Sequence, residues 1–266
     1  MWLLGTARAN LVFFPRPEHV PKPGYAILSH TWGPLKEDTF QVAEKVGYQF
    51  AWVDTCCIDR TSSAELSEAI NSMFQYYSHS AICYVYLSDV SYIPNRDIKA
   101  IIRWSIWHHR GWTLQELLAS PVIFFFSEQW KFLGTKNDLA DVLQEATGVP
   151  AAVLRFETNI QQMCIAERLS WASRRETTRP EDIAYCLFGI FGINMPTLYG
   201  EGSEKAFYRL LEEIMKTSRD ASIFFFGHHI PTSSAQLRAV ARASEGITLR
   251  SSTRSPSPSR RPRSQT

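Results

Sequence analysis

The chain has 266 residues, 28 Lys and Arg against 26 Asp and Glu, and a net charge of +2. A body so nearly neutral lacks the clustered cations that nucleic-acid binding requires, and the length suffices for one large or two small domains. No leader is legible, because Met1-Trp2-Leu3-Leu4 breaks at Gly5-Thr6, and the apolar runs at 122–126 and 223–226 are too short to span a bilayer; a cytoplasmic chain is expected.

In chain order, Leu11-Val12-Phe13-Phe14 reads as an edge strand closed by Pro15 and Pro17. Unalternating apolar runs then predict four buried strands: Tyr25–His30, Phe50–Asp54, Ile82–Leu87 and Val122–Phe126. Between the second and third of these, Leu66, Ala69, Ile70, Met73, Phe74 and Tyr77 repeat at helical spacing. Ser62 and Glu65 ahead of them match a capping box, in which hydroxyl and carboxylate reciprocally satisfy free backbone N–H groups. A shorter helix, Trp112–Ala119, lies between the third and fourth strands. Strand and helix thus alternate from 25 to 126, which predicts an α/β fold with a mostly parallel sheet flanked by helices.

Beyond about 137 the pattern turns helical. Leu139, Val142 and Leu143 mark one helix and Met163–Ala172 another. Glu181-Asp182 form an acidic first turn before Ile183, Cys186, Leu187 and Ile190, and a long stripe follows through Ala206, Phe207, Leu210, Leu211, Ile214 and Met215. The end is rich in Ser, Arg and Pro, which predicts a disordered tail able at most to bind nucleic acid weakly.

Ligands of an open parallel sheet bind beyond the carboxyl ends of its strands. Ser29-His30-Thr31-Trp32, Asp54 and Ser88-Asp89 occupy three such ends, and Trp112 and Glu116 begin the helix on the same rim. Trp112 and Glu116 are four apart and share one face, opposite Leu114, Leu117 and Leu118. A carboxylate beside an indole in a cleft has a tunable proton affinity; the alternative is a solvated glutamate over a half-buried tryptophan. Ser29 and His30 are sequence neighbours that point apart on a strand, so they make no nucleophile–base pair. A Cys57 nucleophile rests on residue type alone. Neither a glycine-rich phosphate loop nor a C-x-x-C pair occurs, and the adjacent pairs His108-His109 and His228-His229 diverge, so no metal site is expected.

The ordered blocks Tyr25–Gly33, Ala51–Asp59 and Arg110–Leu117 resemble the three motifs of the fungal heterokaryon-incompatibility (HET) domain. Leu169-Ser170-Trp171-Ala172, Glu181–Tyr185 and Leu198–Gly202 resemble the helical extension of HET proteins of the vegetative-incompatibility type. The resemblance implies a HET domain at 1–136 with its core at about 24–135, a helical extension at 137–227 and the tail at 228–266. It implies self/non-self recognition that triggers cell death, with self-association or a signalling partner on activation. HET domains also resemble TIR domains, several of which cleave NAD with a helix-borne glutamate in a W-x-x-x-E-like stretch. Carried over, Glu116 is the catalytic residue, while Ser29, His30, Trp32, Asp54, Asp89 and Trp112 line the cleft. NAD is then a substrate, and no resident cofactor or metal is required. A non-enzymatic signalling or oligomerisation module, or an inactive shortened remnant, is the other expectation.

Overall fold

A computed structural model describes residues 1–31 and 47–226. Trp32 and the expected tail at 228–266 lie outside the described residues. The strands are β1 Trp2–Gly5, β2 Leu11–Phe13, β3 Ala26–His30, β4 Phe50–Trp52, β5 Ile82–Tyr86, β6 Ile123–Phe126 and β7 Phe132–Thr135. The helices of the first half are α1 Asp54–Cys57, α2 Ser63–Ser78, α3 Ile98–Ile102 and α4 Thr113–Ala119. Those of the second half are α5 Ala140–Thr147, α6 Ala151–Leu154, α7 Ile165–Ser170, α8 Asp182–Tyr185, α9 Phe188–Phe191 and α10 Ser203–Thr217. Among the described residues no helix is long and apolar enough to cross a membrane.

The strands form one sheet in the order β2-β1-β4-β3-β5-β6-β7. The four apolar runs make its centre, β4-β3-β5-β6, and pair in parallel, with Ile27 opposite Cys83 and Val85 opposite Phe125. The sheet as a whole is mixed, which corrects the mostly parallel expectation. β1 pairs antiparallel with β2 and β4 at one edge, and β7 antiparallel with β6 at the other. Leu11–Phe13 is the edge strand expected; β1 and β7 carry no alternating or long apolar run and escape a reading by period.

Successive residues of the central strands face opposite sides. Ile27, Cys83, Val85, Ile123 and Phe125 join the large core against the helices, while Ala26, Leu28, Ala51, Ile82 and Tyr84 form a smaller cluster on the other face. α2 has the predicted stripe, with Ala69, Ile70, Met73 and Tyr77 buried. Its cap is half of the expected box. The Ser62 hydroxyl accepts the Glu65 N–H at 3.3 Å, but the Glu65 carboxylate turns to the N–H of Asp59 at 3.0 Å. The helical half shares the same apolar core: Leu143, Leu169, Tyr185, Phe188 and Leu210 are continuous with it. The helix expected from Glu181 to Ile190 is broken into α8 and α9.

α9 meets α2 at Gly189, where an added Cβ would stand 2.1 Å from the Cβ of Phe74. Backbone approach this close admits only glycine. Gly189→Ala is therefore expected to lower stability by about 1–3 kcal/mol, since overpacking forces shifts in both helices. A urea titration checks this, with the midpoint falling and the slope unchanged.

Candidate functional site

α4 is buried on every side: Thr113, Leu114, Gln115, Glu116, Leu117, Leu118 and Ala119 are all enclosed. Such a helix has to satisfy its terminal groups inside the protein. At its start, Nη1 of the buried Arg175 donates to the Arg110 carbonyl (2.9 Å) and the Thr113 hydroxyl (2.8 Å), while that hydroxyl donates to the Trp107 carbonyl (2.6 Å). At its end, the buried Lys136 donates to the carbonyls of Leu117 (3.3 Å) and Ser120. A cation there also complements the helix dipole. Burial lowers the Lys136 ammonium to about 7.

Glu116 is 8% exposed, so the solvated glutamate of the alternative reading is absent. Burial, reinforced by the charge of Asp54, raises its carboxyl to about 7, against opposing hydrogen bonds from the Ser29 and Tyr77 hydroxyls and the charge of Arg175. Ser29 is placed for this by Trp107, whose indole N–H donates to the Ser29 Oγ at 2.8 Å and leaves the hydroxyl proton to be given. The single hydroxyl proton of Tyr77, from α2, is shared between Glu116 and the Leu28 carbonyl, 3.0 Å away.

Glu116 opens onto a cavity of about 250 Å³ between the sheet, α2 and the helical half. His30, Asp54 and Trp112 share that cavity with it. The Nε2 of His30, the Oδ1 of Asp54 and the Oε2 of Glu116 are buried and have no hydrogen-bond partner among the described residues. Unmatched buried polar atoms are uncommon, and three meeting in one cavity mark a place where a ligand or water supplies the partners. Burial lowers the His30 imidazole below its usual range, aided by Arg110 and Arg60 and opposed by Asp54. Asp54 is held at its other oxygen by Arg60, 3.4 Å away.

The expected site residues are thus partly gathered. Glu116, Trp112, His30 and Asp54 line the cavity; Ser29 lies behind its wall, next to Glu116. Asp89 is elsewhere. Its two oxygens accept from the Ser105 hydroxyl and the Ile106 N–H, both at 2.7 Å, so it secures the 3-10 turn Ile106–His109. Cys57 is 4% exposed, and burial pushes its thiol up to about 12, the opposite of an activated nucleophile.

Part of the cavity wall comes from the helical half and was not among the expected site residues: Thr178, Arg179, Asp182 and Tyr199. Asp182 accepts the Trp112 indole N–H at 3.0 Å and the Tyr199 hydroxyl at 2.9 Å, and the Arg179 guanidinium lies 4.1 Å over the Tyr199 ring. The neighbouring Glu181 accepts the N–H groups of Gly200 (2.9 Å) and Gly202 (3.0 Å), while the Tyr185 hydroxyl donates to Glu201 at 2.7 Å. The motifs Glu181–Tyr185 and Leu198–Gly202 are therefore two halves of one clamp that holds Trp112.

Residues 35–97 match the family model for heterokaryon incompatibility protein (HET). The chain is 43% identical over 222 residues to the vegetative incompatibility protein HET-E-1 of Podospora anserina, covering 73% of this chain. The chain is a HET-domain protein of the vegetative-incompatibility type. The match spans 16% of the length of HET-E-1. No solved structure matches the HET chain.

Two outcomes are expected of the HET chain. Asp182→Ala strands a partly buried indole N–H and should cost about 1–3 kcal/mol in urea unfolding, with a shifted Trp112 indole N–H resonance in NMR spectra. The second concerns pH. The Glu116 carboxyl ionises near 4.5, the ordinary value for a glutamate, when unfolded but only at about 7 when folded. Between those values folding takes up a proton, so stability falls as pH rises through that window and levels above it. Glu116→Gln does not titrate there, so its stability relative to the parent should rise by about 3 kcal/mol between pH 4 and 8. Urea midpoints across that range measure it.

Proposed function

We propose that the chain acts in heterokaryon incompatibility, as the name of HET-E-1 says of that protein, and that its cavity cleaves NAD at the nicotinamide–ribose bond. The observation that carries the reading is the meeting of Glu116, Asp54 and His30, each with an unpartnered buried atom, beside the Trp112 indole in one cavity. Glycosidic cleavage of NAD breaks the bond between C1′ of ribose and the pyridinium nitrogen. The electron pair leaves with nicotinamide, which becomes neutral, and positive charge develops at C1′. A carboxylate beside C1′ stabilises that charge, and water then adds to C1′ and gives up a proton. Glu116 is suited to both roles, since its proton affinity near neutrality lets it hold negative charge and afterwards accept a proton.

Asp54 and His30 offer partners for the ribose hydroxyls, and Trp112 a face for the nicotinamide ring. α4 follows the third of the central strands in chain order, with α3 and a 3-10 turn between them, and the resemblance to TIR domains puts the catalytic glutamate on a helix after that strand. Killing of the fungal cell would follow from depletion of NAD.

Purified chain incubated with NAD, with and without enforced clustering, is expected to release nicotinamide. Glu116→Gln should lower that rate at least about a hundredfold while the protein stays folded. Cell killing that persists undiminished with Glu116→Gln would overturn the enzyme and leave a signalling module.

A further inference from the structure

The cavity changes sign from its floor to its mouth. Its enclosed part carries two carboxyl groups and an imidazole, Glu116, Asp54 and His30, whose unpartnered atoms all lie out of solvent. Burial lowers the proton affinity of the imidazole, against the pull of Asp54. Its outer part carries guanidinium groups. Arg60 is already committed to Asp54 at 3.4 Å. Arg110 and Arg179 make no salt bridge among the described residues, although both line the cavity.

The two arginines come from different parts of the chain. Arg110 belongs to the sheet half, just ahead of α4, and donates to the Thr178 hydroxyl at 3.4 Å. Arg179 belongs to the helical half, and its position 4.1 Å over the Tyr199 ring ties it to the clamp around Asp182. Both therefore stand at the seam where the halves enclose the cavity.

A phosphate placed at the floor would meet like charge from Asp54 and Glu116, whereas at the mouth it meets two guanidiniums suited to its geometry. Ribose hydroxyls suit the floor, where carboxylate oxygens accept from them. The cavity of about 250 Å³ lies just below the range of roughly 300–1,000 Å³ usual for small-molecule sites, which favours a small ligand or one part of a larger one. We infer that the cavity is a ribosyl-monophosphate site, which takes a cationic base and its ribose inward past Trp112 and grips the adjoining phosphate between Arg110 and Arg179. This rests on the nucleotide reading of the cavity given above and adds its orientation and smallest ligand. The second nucleotide of a dinucleotide would then lie outside the mouth.

The test is calorimetric titration of the full chain carrying Glu116→Gln, so that no ligand is consumed. The probes are NAD, nicotinamide mononucleotide and nicotinamide riboside. The mononucleotide is expected to bind within about threefold of NAD, and the riboside, which lacks the phosphate, at least tenfold more weakly than the mononucleotide. Arg110→Gln and Arg179→Gln should each weaken the mononucleotide about tenfold and leave the riboside unchanged. Arg110→Lys and Arg179→Lys, which retain the charge but lose the two-pronged donor, should fall between. Circular dichroism melting of each variant identifies any that has lost its fold, and the lysine variants then carry the comparison.

Equal affinities for mononucleotide and riboside, no binding of either, or arginine variants that change nothing would each overturn the inference. Absence of nicotinamide release from the parent chain, with the binding pattern intact, removes the enzyme and keeps this site. Nicotinamide release from the parent with phosphate-independent binding keeps the enzyme and removes this site.

Discussion

A carboxylate carried on a helix with no solvent face is the constraint around which this HET chain is arranged. α4 is seven residues long and enclosed throughout, so its ends cannot rely on bulk water and Glu116 meets solvent only through the cavity. Arg175 reaches the start of the helix from the helical half, and Lys136 reaches its end from the loop after β7. Both are buried cations whose proton affinity burial depresses, Arg175 to about 10 and Lys136 to about 7. Removing Lys136 would leave the carbonyls of Leu117 and Ser120 without this partner in the core, a more costly defect than loss of a surface pair. The sheet contributes from beneath: β3 supplies Ser29 and His30, and α2 supplies Tyr77. Ser29 and Tyr77 thus bring hydroxyls to Glu116 from two different elements.

The helical half consequently belongs to the site and is more than an appendage. Its apolar residues continue the core of the sheet half, and its clamp fixes a residue of the signature, Trp112, through Asp182. Gly111 shows how tight the seam is, because an added Cβ would lie 2.5 Å from Thr177 and 3.2 Å from the sulfur of Cys186. The sheet half alone would present Trp112 without its hydrogen-bond partner, and a cavity open on the side that Thr178, Arg179 and Tyr199 now close.

The central strands and long helices were legible because burial on both faces, or on one stripe, leaves a periodic trace. β3, β4, β5 and β6 are unbroken apolar runs, and α2 and α10 repeat at helical spacing. β1 and β7 leave little trace, for edge strands are held by pairing more than by burial: Phe132 of β7 is 51% exposed. At the site, strand ends and one helix face indicated Glu116, Trp112, His30 and Asp54, since those positions follow from chain order alone. Asp89 obeyed the same rule and is a capping residue, because a strand-end aspartate is equally suited to both tasks. Asp182 and Tyr199 were visible as motifs, but their meeting with Trp112 joins residues 70 apart or more, and no local pattern encodes such an approach.

Burial of Glu116 also bears on which ligand the site would favour. A carboxyl raised to about 7 is divided between its two forms at neutral pH, and only the ionised form stabilises a developing cation. A positive charge brought within about 4–6 Å shifts that balance towards the carboxylate, whereas a neutral ligand leaves it where burial set it. A pyridinium ring at the floor would therefore create the charged form it requires, with release of a proton on binding. If the guanidiniums at the mouth hold a phosphate as proposed, desolvation, which makes the empty site less stable at high pH, becomes a preference for ligands that are positive at one end and negative at the other.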